Sequence, residues 1–258
     1  MKKLFYYLLA LPLALFVACG DDEEDGNNYF TNGKRITKII EESQGTTRER
    51  LFTYDSEGRV VKMKTTVNSA SESHAYNSTY QYSDSLIKCN EEVVDTDQLL
   101  KHTYRVEDGK IVLDTISNYN IPMYSHMFYD KDGFLNEIIN YLEFDNIDLY
   151  YYPNRCCFIN WEKGNMSTQD FRGVKYAIWD YTDLPWKKGT FFEFDNSIIP
   201  ETDPVLLGMG YYGKLPKNLP SRYGKRLYEY TVSEGLVTKV TRTDSLQTER
   251  CVLNITWE

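Results

Sequence analysis

The chain has 258 residues, enough for one large domain, and a formal net charge of -9 from 29 basic and 38 acidic side chains. A surface of that sign repels a phosphate backbone and excludes nucleic acid as a partner, while 41% hydrophobic residues can build a core and exclude wholesale disorder. The 22 tyrosines suit broad pleated surfaces, where a ring covers apolar area and its hydroxyl keeps a polar contact, and disfavour an all-helical bundle.

Lys2 and Lys3 precede an apolar run from Leu4 to Ala18. The run is shorter than the roughly 20 residues of a membrane-spanning helix and has the length of a secretion signal. Ala18 before Cys19, with Gly20 after it, resembles the bacterial lipobox, in which the cysteine is acylated and becomes the mature N-terminus; Phe16 stands where Leu is usual. Residues 1–18 are thus read as a lipoprotein signal peptide, 19–33 as an acidic tether and 34–258 as a single β-sheet domain. The tether carries Asp21-Asp22-Glu23-Glu24-Asp25, five acids that stay solvated. That run resembles the signal sending Bacteroidetes lipoproteins to the outer face of the outer membrane; the periplasmic face is the alternative. From Cys19 onward 27 basic residues face 38 acidic ones, a charge of -11, so acyl chains and not headgroup attraction must hold the protein to lipid.

After the tether, short alternating segments recur around acidic or glycine turns. Leu51 to Gly58 leads into Arg59 to Val67, Tyr80 to Ser85 into Leu86 to Val94, and His102 to Gly109 into Lys110 to Asn118. Met127 to Gly133 leads into Phe134 to Leu142, and Leu227 to Gly235 into Leu236 to Thr243. Gly58, Gly109, Gly133 and Gly235 sit where a tight hairpin needs positive φ. Within strands the period is two: Val61, Met63, Thr65 and Val67 share a face, and Ile111, Leu113 and Thr115 oppose Val112, Asp114 and Ile116. This is the pattern of antiparallel strands with one buried and one wetter face. The predicted fold is all-β, a large curled antiparallel meander of hairpin repeats in a single sheet, open or barrel-like.

The alternation breaks between about 182 and 224, where Pro185, Pro200, Pro204, Pro216 and Pro220 gather. Inside this proline-rich loop, Thr202-Asp203-Pro204 followed by Val205-Leu206-Leu207 reads as a cap, a first-turn proline and an apolar helix face. A short helix near 204–209, ended by Gly208 or Gly210, is expected to plug an end of the sheet. Cys89, Cys156, Cys157 and Cys251 show no CxxC pair or metal-like spacing and read as buried free thiols, with a Cys89–Cys251 bridge as the alternative.

The turn-and-strand repeat, the segment Asn160 to Met166 and the run Gly208 to Ser221, above all Lys217-Asn218-Leu219-Pro220-Ser221, resemble a family of Bacteroidetes lipoproteins known only as a domain of unknown function with a porin-like fold. The resemblance covers about Lys34 to Glu258. Pro216 departs from the family pattern, in which Ser often precedes the Lys-Asn-Leu-Pro run. It implies a large curled sheet and no reaction. Lys62 with Lys64, Asn90 with Glu92, and Asn136 with Asn140 interrupt the apolar band a membrane-spanning barrel needs, so porin-like does not mean a pore.

Motifs of chemistry are few. His74, His102 and His126 lie at no short metal-ligand spacing and read as wet-face strand residues, so no metal and no cofactor is expected. Gly208-Met209-Gly210-Tyr211-Tyr212-Gly213 spells a nucleotide-loop pattern but follows a proline-rich loop instead of a strand. Asp130-Lys131-Asp132-Gly133 reads as a hairpin turn in preference to a calcium loop. Three Asp-Ser/Thr-apolar triplets, beginning at Asp84, Asp114 and Asp244, resemble the O-glycosylation acceptor of Bacteroidetes. Aromatic residues cluster in the middle third, and Tyr150, Tyr152, Trp161, Trp179 and Trp186 are the candidate binding rings, with a packed concave side of the sheet as the alternative.

The sequence therefore reads as a non-enzymatic binding or display module, anchored to outer-membrane lipid through acylated Cys19, with a glycan or another envelope protein as partner. Two alternatives stand beside it: a hydrolase acting on a surface polymer through acids near the middle aromatics, and a purely structural envelope component.

Overall fold

The computed structural model describes residues 33–117, 122–144, 147–151, 157–171, 174–176, 179–190, 202–244 and 250–258. These form one antiparallel sheet of 18 strands with one short helix. The first nine strands are β1 (Ile36–Ser43), β2 (Thr46–Tyr54), β3 (Val60–Asn68), β4 (Ser73–Tyr82), β5 (Leu86–Val93), β6 (Leu99–Glu107), β7 (Lys110–Ser117), β8 (Met123–Tyr129) and β9 (Leu135–Phe144). They continue with β10 (Ile147–Tyr151), β11 (Cys157–Glu162), β12 (Asn165–Phe171), β13 (Val174–Tyr176) and β14 (Trp179–Pro185). The helix α1 (Pro204–Gly208) then precedes β15 (Asn218–Tyr223), β16 (Arg226–Ser233), β17 (Leu236–Asp244) and β18 (Arg250–Trp257).

From β1 to β9 each strand pairs with the next, and β1 also pairs with the last strand, β18, so the sheet curls round on itself. It is not closed: among the described residues no register joins β13 to β14. Where these edges approach, the Tyr181 hydroxyl of β14 donates to the Met166 carbonyl of β12 at 2.9 Å.

The curl is tightened by a device repeated along the chain. Strand β3 carries one extra residue against β2, because Tyr54 pairs with Val60 while Thr53 pairs with Lys62. The same one-residue bulge recurs at Val112 in β7, Asn136 in β9, Ser167 in β12, Thr238 in β17 and Thr37 in β1. A bulge bends and twists its strand and breaks the ladder locally. In each case the carbonyl just before the bulge accepts from an aromatic tip on another strand. Tyr82 donates to Val60 at 2.7 Å, Tyr129 to Ile111 at 2.6 Å, Trp161 to Leu135 at 2.8 Å and Trp257 to Val237 at 2.8 Å. Tyr54 to Ile36 and Tyr181 to Met166 belong to the same set, as does Tyr230, which donates to Pro220 at 2.7 Å just before a bulge at Ser221 in β15. Strand β5 pairs with β4 without a bulge, and β6 carries Val106 next to its last residue where β2, β4 and β8 end in Tyr54, Tyr82 and Tyr129.

The bulges correct the strict two-residue period. Val60, fully buried, takes the inward place that alternation gives to Val61. In β7, Ile111 and Asp114 both face the core, so Leu113 stands opposite Asp114 and on the outer face. Asn140 is likewise buried and lies on the inner side.

The core fills the inside of the curl with Ile36, Ile87, Ile111, Leu135, Ile138 and Met166, each 1% exposed or less. Full burial of such side chains contributes about 1.5–3 kcal/mol apiece. Cys89, Cys157 and Cys251 are buried free thiols; no Cys89–Cys251 bridge forms, and Cys156 lies outside the described residues.

One end of the curl carries the tight turns. Asp55 Oδ1 accepts the amides of Glu57 and Arg59, and Asp130 Oδ1 accepts those of Asp132 and Phe134, all at 2.9 Å. The Asp130–Gly133 segment is therefore a side-chain-locked hairpin turn. Helix α1 plugs this end, as its sequence predicts: Asp203 caps it, Pro204 opens it, and Val205, Leu206, Leu207 and Met209 are buried. The following loop is laced to the turns. The Ile111 amide donates to the Tyr211 carbonyl at 2.7 Å, Lys214 to Gly133 at 3.0 Å and Lys217 to Gly164 at 2.8 Å. Gly213, at φ 82°, passes so close to the Gly133 carbonyl that a side chain there has no room. Within the Lys217–Ser221 run, Asn218 and Asn165 exchange hydrogen bonds and Leu219 is buried, which ties the run to the β11–β12 turn.

Candidate functional site

Among the described residues, two concave sites have chemistry in them. The first lies inside the curl, about 390 Å³ in volume, beneath the start of α1. Strand pairing builds its wall. Antiparallel register sets Tyr104 beside Asp114 and Asp114 beside Ser125, with His102 one inward position away on β6. His102 Nδ1 lies 3.0 Å from Asp114 Oδ2, and its ring stacks on Tyr104 with centroids 5.5 Å apart. From the plug comes Asp203, whose Oδ1 accepts the Val205 and Leu206 amides at 2.8 and 3.0 Å while Oδ2 accepts the Tyr80 hydroxyl at 3.0 Å.

Burial governs the proton affinities here. It raises the Asp203 carboxyl above the ordinary aspartate value despite the three hydrogen bonds and His102. It also raises Asp114, whose carboxylate His102 only partly compensates. For His102 burial opposes the imidazolium, but the hydrogen bond and charge of Asp114, with Asp203 and Glu91 beyond, outweigh it and raise its pKa. The pocket therefore holds protons more tightly than free side chains do. Ser125 lines the same pocket, yet it neighbours Asp114 from β8, on the side away from β6, so the order is His102, Asp114, Ser125. An acyl-transfer triad needs the histidine between the other two. The sequence pattern misses this pocket because His102 reads as a wet-face residue, whereas it is part-buried and inward. Strict alternation sets Asp114 on the face opposite Ile111, and only the Val112 bulge brings it inward.

The second site is a cleft of about 430 Å³ among the turns at the plugged end, lined by Glu57, Arg59, Tyr82, Asp84, Lys188 and Tyr211 over a floor that includes Val106 and Met209. Arg59 pairs with Asp55 at 2.8 Å and Glu57 at 2.9 Å and lies over the Tyr82 ring at 4.7 Å. The Tyr82 and Tyr211 rings stack at 6.0 Å.

Solved structures share this architecture. A porin-like protein from Bacteroides uniformis ATCC 8492 superposes with a TM-score of 0.67 at 14% identity, over 86% of this chain and 98% of that one. A porin-like protein from Bacteroides vulgatus ATCC 8482 gives a TM-score of 0.56 at 10% identity, over the same shares of the two chains. The chain thus has a porin-like fold. No family model matches it, and no curated protein does.

Of the aromatics expected to bind, two have described side chains, Trp186 and Trp161. Trp186 is buried and donates its indole N–H to the Thr190 carbonyl at 3.1 Å. Trp161 is half-buried, spends its N–H on the Leu135 carbonyl and packs on Phe134 at 4.6 Å. Tyr150 falls in β10 and Trp179 in β14, with their side chains outside the description, and Tyr152 lies outside the described residues. The tyrosines that line the second cleft, Tyr82 at the end of β4 and Tyr211 in the loop after α1, lie far apart in sequence.

Proposed function

We propose that the protein is an envelope lipoprotein, anchored through acylated Cys19 at the outer face of the outer membrane, that binds or displays and does not catalyse. A glycan or another envelope protein is its partner. The observation that carries this reading is that the acids enclosed by the sheet are already committed to the fold. Asp203 is occupied by two backbone amides and Tyr80, and Asp114 by His102. The lipobox-like Ala18-Cys19-Gly20, the acidic tether and the porin-like neighbours support the envelope setting. Labelled palmitate fed to expressing cells tests the anchor: the parent chain takes up label and Cys19→Ala does not. A glycan array and an envelope pull-down test the binding; silence in both overturns it.

A hydrolase of a surface polymer is the second reading, and one observation favours it: Asp114 and Asp203, both with raised pKa, line a single pocket. Release of reducing ends from envelope polysaccharide, lost in Asp114→Asn, would establish it; no release by the parent chain removes it.

A further inference from the structure

We propose that the cleft among the turns is a binding site for an uncharged saccharide. The inference deepens the binding reading above and rests on it.

The chemistry of the lining selects the ligand. Among the lining residues Glu57 and Asp84 are matched in number by Arg59 and Lys188, and Arg59 is already paired with Asp55 and Glu57, so the lining offers no unmatched cluster of one sign to an anion or a cation. A phosphate or uronate meets two carboxylates, and an ammonium meets a guanidinium and a lysine. A neutral ligand rich in hydroxyls gains from both signs, because carboxylates accept its O–H groups while the guanidinium and ammonium donate to its oxygens. The aromatic component is also present. Tyr82 is covered by Arg59 and by Tyr211, so the ring that Tyr211 brings to the lining is the aromatic surface, and a ring face suits the C–H side of a pyranose. At about 430 Å³ the cleft falls within the range of small-molecule sites, about 300–1,000 Å³.

The walls are rigid where it matters. Arg59 is fixed by Asp55 and Glu57, Ser83 by its hydrogen bonds with Leu86, and Tyr211 by its carbonyl contact with Ile111. A preformed site of this kind loses little entropy on binding. The cleft lies among the turns at the end of the curl where β1 begins, the end at which Lys34 pairs with Glu234 of the β16–β17 turn. Both a free oligosaccharide and the sugar headgroup of a membrane glycolipid have the required chemistry.

Titration calorimetry on the chain from Cys19 onward tests the proposal. Chitohexaose, mannohexaose and xylohexaose serve as soluble neutral probes, phosphatidylcholine vesicles carrying digalactosyldiacylglycerol as the neutral glycolipid probe, and hexagalacturonate as the charged control. Binding to a neutral or glycolipid probe is expected, weakened about tenfold by Asp84→Asn and by Lys188→Gln, each losing one charge-assisted hydrogen bond. Both positions are exposed, and equal melting temperatures confirm that the variants fold. His102→Gln, in the other pocket, is expected to bind as the parent does. Tighter binding of hexagalacturonate than of every neutral probe overturns the proposal, as does failure of all probes. A glycan-array ligand whose affinity neither cleft variant alters overturns the cleft and leaves the binding reading standing; silence on the array and in the pull-down overturns both.

Discussion

The Tyr82 hydroxyl donates to the Val60 carbonyl at 2.7 Å, joining the end of β4 to the start of β3 just before a bulge. Bonds of this kind give a role to Tyr54, Tyr82, Tyr129, Tyr181 and Tyr230. A bulge frees a carbonyl that a regular ladder would pair, and a ring long enough to reach it covers the core on the way. Tyr82→Phe keeps the ring and removes the donor. Leaving that buried carbonyl unpaired is expected to cost about 1–3 kcal/mol in denaturant unfolding. An unchanged unfolding midpoint would show that the bond does not hold the bulge.

How much of this was legible in the sequence depends on the element. Hairpins with Gly58, Gly109, Gly133 and Gly235 follow from turn chemistry, and all four take positive φ. Asp203 and Pro204 announce α1 because a cap and a first-turn proline are local signals. The bulges were hidden, since one inserted residue leaves the composition of a strand unchanged and only shifts its phase. The aromatic tips were visible as repeats but not as partners, because each acceptor lies on a different strand. Both pockets escaped for the same reason: their residues converge through pairing and packing, not through spacing along the chain.

Arg50 is buried at 4% exposure, held by Glu41 Oε2 at 3.2 Å, with Arg48 and the Cys251 thiol on the same carboxylate. Burial lowers the Arg50 pKa to about 10, against the pull of Glu41. For Glu41 burial is outweighed by the two arginines, so its pKa lies below the ordinary value. Glu41→Gln leaves the guanidinium without its counter-charge and is expected to destabilise the fold by about 3–5 kcal/mol. Chemical denaturation measures this, and a loss below about 1 kcal/mol would mean that Arg50 finds water or another partner.

His102 predicts a pH dependence of the opposite sense to that of Glu41. Its folded pKa is raised above 6.5, so its contribution to stability is complete below that value and is lost as pH rises through the folded pKa. Melting curves between pH 6 and 9 should therefore fall with pH more steeply for the parent chain than for His102→Gln. Parallel curves would contradict the assignment.

Gly213 sits at φ 82° against the Gly133 carbonyl and the Tyr129 ring. Gly213→Ala combines backbone strain with a clash against main chain and is expected to cost about 1–3 kcal/mol. Gly109→Ala, also at positive φ but with open space around it, should cost less. Thermal unfolding of the two variants decides it, and equal losses would show that crowding at the plug adds nothing.

Hydrogen–deuterium exchange with and without a saccharide that the protein captures from the array addresses the central claim most directly. Binding among the turns predicts slowed exchange in peptides covering 55–59, 82–85 and 209–211, with the segments 100–104 and 112–116 around His102 and Asp114 unchanged. Protection confined to the interior around His102 and Asp114, or no protection anywhere, would contradict it.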